Sequence, residues 1–359
     1  MMDAVIWGAG EICSRILKQK VLYCDYTIKA IIDNDKSKWG DKLLGYDIIA
    51  PNDLARISPN AVIVCSKYYE DIKEQINDLL KSKDLSVIPY HDLEESLITI
   101  IVEKYKDSKD NEINKILDRY RNKGFSVYGS YEYEHERYYV YRDSDMMPYI
   151  LFEGKRMYYP RNRRFFADDN GEYIEDLLIE QGEGSPHLYI REDKGIVPPK
   201  GGVLVDAGVC EGNFALRYVD DVGKVYLVES NPEWIEPLER SFRPYKNKVT
   251  ICNKFLSDMD SSTTVSLDSL VDGYADFLKM DIEGYELNAL KGAKKTLGSN
   301  CICSICSYHK YRDEEKIRSV LERYGYTTSV SEGYMFFSYD EDIIKTMDFR
   351  RGIVYGIKK

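Results

Sequence analysis

Two stretches of this 359-residue chain bring carboxylates, glycines and an imidazole together at spacings that could do chemistry. The first is GVLVDAGVCEGNF, residues 202–214. An apolar run closes on Asp206, and a turn of small residues follows, with Gly208 and Gly212 flanking Glu211. This reads as a strand entering a helix through a glycine turn, the place where open α/β sheets bind ligands. A dinucleotide site would aim helix-terminal amides at a pyrophosphate, which Glu211 would repel. A ligand with positive charge and no phosphate suits the turn better. S-adenosylmethionine fits, with sulfonium and ammonium groups for the carboxylates and an adenosine to run over glycine backbone. Glu229 ends the strand-like VYLVES about 20 residues past Gly208, the spacing of a carboxylate that grips two ribose hydroxyls. The plain alternative is an ordinary α/β turn with two incidental acids.

The second stretch is LKMDIEGYELNAL, residues 278–290, where Asp281 ends a strand and Glu283, Gly284 and Glu286 lead into a helix. It is followed by SICSYHKY, in which His309 is expected to end the next strand. Neighbouring strand ends would hold Asp281 and His309 roughly 5–10 Å apart. Such a pair can take a proton from a substrate hydroxyl while a methyl group approaches from the other side. Alternatively, Asp281, Glu283 and His309 can ligate a divalent metal such as magnesium. A third reading has Asp281 and Glu283 merely favouring a helix N-terminus. His187, in a Ser185-Pro186-His187 loop just upstream, is a second candidate base, since loops on rigid scaffolds often carry function.

The elements that must position these residues alternate cleanly. AVIWGAG, KAIIDND, AVIVCS and LSVIPY read as strands separated by helices, so residues 1–95 form a small Rossmann-like domain with a parallel sheet. Its glycine turn, Gly8-Ala9-Gly10, has Cys13 where a dinucleotide fingerprint has its third glycine, while Asp33 stands at the ribose position. It is either a nucleotide site or a scaffold that keeps the turn. Residues 96–198 read as a helical linker and a tyrosine-rich connecting region, YGSYEYEHERYYVYRD. That region is a sheet edge or an aromatic groove for sugar rings. Residues 199–359 carry VLVD, VYLVE, VTIC, DFLKMD and the cysteine-rich strand, with one helix expected over Glu286–Leu297. TTSVSEG, YMFFSY and GIVYGIK compete for a closing antiparallel pair.

Composition bounds the partners. A formal charge of −11 and a pI of ≈ 5.1 argue against a general nucleic-acid surface. No apolar run approaches the ~20 residues of a membrane span. No signal-peptide pattern is visible, and scattered cysteines suit a reducing, cytoplasmic setting. Cys301 and Cys303 alternate on one face of a strand and read as core. An acidic chain with a tyrosine-rich edge can also form a homodimer.

VDAGVCEGNFAL, VESNP, TVSLDSL and above all KMDIEGYELNALKGA, with a histidine after the next strand, resemble the FkbM-type family of S-adenosylmethionine-dependent methyltransferases over residues 180–330. The resemblance implies an α/β fold, a class I methyltransferase-type doubly wound sheet, here behind the smaller Rossmann-like domain. It implies O-methylation of sugars in surface polysaccharide or glycan biosynthesis. Carried over, Asp206, Gly208 and Glu211 line the methionine part, Glu229 the ribose, and Leu256 and Ser257 the adenine; Asp281, Glu283 and His309 face the acceptor. The acceptor is a nucleotide-linked, lipid-linked or polymeric glycan. Two rivals remain: an NAD-dependent sugar oxidoreductase or epimerase run from the first domain, and a non-catalytic glycan- or partner-binding module.

Overall fold

The computed structural model describes residues 1–18, 20–80, 85–133, 138–161, 178, 180–337, 343 and 346–358. They form two compact units, Met1–Ser130 with Phe336–Asp348 and Tyr131–Met335 with Phe349–Lys359.

In the first unit the apolar runs become strands β1 (Met2–Trp7), β2 (Tyr26–Ile32), β3 (Lys42–Leu43), β4 (Tyr46–Ile49), β5 (Ala61–Val64) and β6 (Ser86–Pro89). Their order is β3-β4-β2-β1-β5-β6, parallel except for the β3–β4 hairpin. Helices α1 (Glu11–Lys18), α2 (Leu54–Ile57) and α3 (Tyr69–Leu80) connect them, and Leu54, Ile72 and Ile76 pack on Val5, Trp7, Val62 and Val64. Asp33 is turned inward. Its Oδ2 accepts the Ala9 N–H at 2.7 Å and lies 3.1 Å from Lys38 Nζ, so the carboxylate holds its own glycine turn. Helices α4 (Tyr90–Tyr105) and α5 (Asn111–Lys123), read from the sequence as linker, lie within this unit. The Asp110 side chain caps α5 by accepting the Glu112 and Ile113 N–H groups.

The second unit opens with a three-stranded antiparallel sheet from the tyrosine-rich region, β7 (Tyr141–Arg142), β8 (Pro148–Phe152) and β9 (Lys155–Tyr158); residues 134–137 of that region lie outside the described residues. Pro148, Ile150 and Phe152 point to the buried face. Tyr141, Tyr149 and Tyr158 stand in register on the other, with ring centroids 5.5 and 5.2 Å apart.

The main sheet holds β10 (Val203–Ala207), β11 (Lys224–Val228), β12 (Val249–Cys252), β15 (Phe277–Met280), β16 (Ile302–Cys306), β17 (Thr327–Val330) and β18 (Ile353–Ile357); β13 (Phe255–Leu256) and β14 (Thr264–Val265) pair separately. The order is β12-β11-β10-β15-β16-β18-β17. Five strands are parallel, and β18 runs antiparallel to both neighbours. The chain therefore moves outward from β10 to β12 and returns beside β10 as β15. That reversal creates the crevice at the carboxyl ends of β10 and β15. Strands covered on both faces read as unbroken apolar runs, and Leu204, Val205, Leu278, Met280, Cys303 and Ile305 are all buried.

Two sequence expectations change, and one open choice is settled. The helix expected over Glu286–Leu297 breaks into α9 (Glu286–Lys291) and α10 (Lys294–Gly298), following α6 (Asn213–Tyr218), α7 (Ile235–Ser241) and α8 (Leu267–Leu270). The break falls at Gly292, packed so tightly that a Cβ there would lie 2.3 Å from the Ser257 carbonyl oxygen. Strand β16 stops at Cys306, so His309 stands three residues beyond it, ahead of α11 (Asp313–Arg323). Of the three closing segments, TTSV and IVYGI make the pair, while Met335 forms only an isolated bridge with Arg350 and residues 338–342 lie outside the described residues.

Candidate active site

The glycine turn is shaped by close approach. Gly208 has φ +74°, and a Cβ there would fall 1.5 Å from the Asp281 carbonyl oxygen, so no side chain fits where β10 meets β15. Gly212, at φ +81°, faces Phe242 and Leu238 of the next helical layer at 2.9 and 3.0 Å. Cys210 and Glu283 adopt left-handed backbone as non-glycine residues, φ +50° and +56°, an arrangement that clusters at functional sites.

Asp206 lies opposite Lys279 in the β10–β15 register, and their charged atoms are 3.1 Å apart in the sheet interior. Lys279 Nζ also donates to the Gly208 carbonyl at 2.7 Å. Asp206 Oδ2 accepts the Ala215 N–H at the start of α6. The pair ties the end of β10 to the turn. Asp206 is therefore a buried brace and does not line an open surface.

Glu229 and Glu211 are placed differently. Glu229 is buried, and its two oxygens accept the N–H groups of Cys210 at 2.9 Å and Asn231 at 2.7 Å, which fixes the carboxylate beside the turn. Glu211 is buried, and among the described residues its Oε2 has no hydrogen-bond partner. Burial raises its pKa to about 7. A buried carboxylate with an unpartnered oxygen is an incomplete site for a cation or a donor.

Asp281 is the hub of the second cluster. Its Oδ2 accepts the Tyr189 hydroxyl at 2.7 Å and lies 3.4 Å from His187 Nε2. Its Oδ1 lies 3.3 Å from His309 Nε2, with the Tyr308 hydroxyl at 3.5 Å. Burial pushes the Asp281 carboxyl up, but His187, His309 and Lys279 outweigh it and hold the group well below the usual carboxylate range. His187 is buried, with Nδ1 3.6 Å from Glu180 and Nε2 3.3 Å from the Cys306 sulfur. Burial opposes its charge, yet the Asp281 and Glu180 carboxylates prevail and raise it to about 9. His187 is thus set up to carry a proton near neutral pH. Burial pushes the Cys306 thiol far up, which leaves it a neutral packing group.

His309 meets a carboxylate on each ring nitrogen. Nε2 faces Asp281, and Nδ1 lies 3.0 Å from Glu286 Oε1, though neither contact has hydrogen-bond alignment. Burial lowers the affinity of His309 for its proton, and Glu286, Asp281 and Glu283 more than restore it, leaving the pKa raised. Glu283 is 91% exposed, with Oε2 3.6 Å from His309 Nε2, and sits on the rim.

The structure thus brings Asp281, His309 and His187 into one cluster and sets Gly208, Glu211 and Glu229 around the adjoining turn. Leu256 is buried in the core cluster that also holds Val228 and Met280. Ser257 Oγ accepts from Asn288 Nδ2 at 3.0 Å, which joins the β13 segment to α9. Sequence reasoning missed Lys279, Tyr189 and the role of Glu286. The lysine had one visible sign, a lone charge inside an apolar strand.

Residues 254–328 match the family described as "Methyltransferase FkbM domain". Residues 1–88 match "C2185-like, N-terminal", the unit ahead of it. No curated protein matches the chain. Among solved structures, Trm5b from Pyrococcus abyssi is similar at 16% identity and TM-score 0.35, over 59% of this chain and 56% of that one. A TehB-like SAM-dependent methyltransferase from Corynebacterium glutamicum is similar at 13% identity and TM-score 0.30, over 52% and 96%. RSP, a Rex-family repressor in complex with NAD+ and operator DNA, is similar at 18% identity and TM-score 0.22; the match spans 29% of this chain and 57% of the repressor, less than two thirds of its length. Among the described residues, no helix is long and apolar enough to cross a membrane.

Proposed function

We propose that the chain is an S-adenosylmethionine-dependent O-methyltransferase acting on a sugar hydroxyl in glycan or surface-polysaccharide biosynthesis. The observation that carries this reading is His309, held between the Glu286 and Asp281 carboxylates beside the glycine turn. S-adenosylmethionine, when bound, supplies an electrophilic methyl group on a sulfonium. The unpartnered Glu211 oxygen suits its ammonium group, and the pre-oriented Glu229 carboxylate suits its ribose hydroxyls. Holding the two reactants in line is where most of the rate arises.

His309 Nε2 takes the acceptor proton, and the Glu286 carboxylate at Nδ1 favours the imidazolium that results. His187, kept protonated, balances Asp281 and is unsuited to be the base. The tyrosine ladder at Tyr141, Tyr149 and Tyr158 supports a carbohydrate acceptor, since aromatic side chains provide a large apolar body with a polar tip.

A divalent ion such as magnesium is the second reading. Asp281, Glu286 and His309 each offer a ligand atom within 4.8 Å of the others, a grouping that suits one ion, whereas Glu283 stands outside it on the rim. The test is transfer of a labelled methyl group to nucleotide-sugars, lipid-linked sugars and polysaccharides, with and without chelator. Labelled sugar ether that disappears in His309→Ala supports the reading. Labelling of nitrogen or carbon acceptors alone would overturn it.

A further inference from the structure

Helices α9 and α11 leave a groove of about 1110 Å³ between them on the outer face of the methyltransferase domain. Its cations are Lys291, Lys294, Arg312, Lys316 and Arg323, against two acids, Asp258 and Glu315. All five cations are exposed. This is a local excess of positive charge on a chain whose formal charge is −11. Arg312 pairs with Glu315, and Lys316 is 3.9 Å from Asp313. Among the described residues, Lys291 and Lys294 have no carboxylate within ion-pair distance.

The charges are arranged along a line. Lys316 and Arg323 fall seven residues apart on one stripe of α11, and Arg312 stands just before the helix's first residue. Helix α11 spans about 16 Å at 1.5 Å per residue, several sugar rings long. Leu287 and Val320, half-buried between the charged walls, give the groove an apolar floor. Lys310 donates from Nζ to the Gly284 carbonyl.

We propose that this groove binds the acidic chain of a carboxylate-bearing polysaccharide. Uronate-type sugars offer regularly spaced carboxylates to the cations and C–H faces to the apolar floor. A nucleic acid fits less well, because the charge excess is confined to one groove of an acidic protein. The inference rests on the proposed sugar methyl transfer and narrows its acceptor to an acidic polymer.

The test uses the full chain with fluorescent oligogalacturonate as the probe, followed by anisotropy, with dextran and polyuridylate as competitors. Binding should weaken as salt is raised, resist dextran, and fall about tenfold or more in Lys291→Glu/Lys294→Glu. Lys316→Glu should weaken it independently, while Lys291→Arg/Lys294→Arg retains it. S-adenosylhomocysteine titration of every variant reports whether the fold and donor site survive, so failure of the groove and failure of the methyltransferase reading give separate results. Absence of binding, binding unchanged in both charge-reversed variants that still take S-adenosylhomocysteine, or tighter competition by polyuridylate would overturn the proposal.

Discussion

Glu286 Oε1 lies 3.0 Å from His309 Nδ1 while accepting the N–H groups of Ile282 at 2.9 Å and Gly284 at 3.3 Å. One carboxylate thus closes the DIEG turn and faces the ring of the proposed base. The turn amides fix the carboxylate, and the carboxylate places its negative charge beside the imidazole.

That arrangement predicts a kinetic signature. His309 must be neutral to act, and its neighbours raise its pKa, so kcat/KM should climb with pH through an inflection above the ordinary imidazole value of 6.5. Glu286→Gln should move the inflection down and reduce kcat by about 10- to 100-fold, with KM for the donor little changed. A pH–rate profile of both proteins checks the shift, which a purely structural role for Glu286 would not produce.

The Asp206–Lys279 pair predicts a stability effect. Lys279→Met leaves a buried carboxylate without its cation and should cost about 3–5 kcal/mol of unfolding free energy. Asp206→Leu/Lys279→Met removes both charges and should recover much of that loss. Denaturant unfolding of the second unit's transition measures both.

His187 predicts a pH dependence of stability. Its folded pKa is raised to about 9 from 6.5, so its contribution is fully present below about 6.5 and is lost as pH rises through about 9. Linkage places the whole effect at about 3 kcal/mol. Melting temperature should therefore fall between those pH values, and His187→Gln should flatten the slope.

Glu211 predicts a pH dependence of donor binding. Burial holds it at about 7, and an ammonium group beside it would favour its ionised form. Affinity for S-adenosylhomocysteine should weaken as pH falls below about 7, approaching tenfold per pH unit. Glu211→Gln should abolish the dependence. Calorimetry across that pH range checks it.

What the sequence made legible follows from locality. Asp206, Glu229 and Asp281 each follow an apolar run, and a carboxylate closing such a run marks the approach of a strand end, so the strand ends were readable. The glycine turn was readable because Gly208 and Gly212 carry left-handed backbone. Lys279 was not, since its partner is set by β10 pairing with β15, a contact made across the sheet. His187 reaches Asp281 only after its loop folds against Ser304 and Cys306 of β16, a contact distant in sequence that also buries the imidazole. Glu286 looked like a helix-start acid, and it does close the turn. Its second face, toward His309, depends on where the chain goes beyond Cys306. Gly292 gave no local sign of a break, because the obstruction is the carbonyl of Ser257.

The most direct measurement is calorimetric titration of the full chain with S-adenosylhomocysteine, with NAD titrated in parallel. The account predicts micromolar binding of S-adenosylhomocysteine that is lost in Glu229→Ala and retained in His309→Ala. Binding of NAD without any binding of S-adenosylhomocysteine would contradict the account and move the chemistry to the first unit.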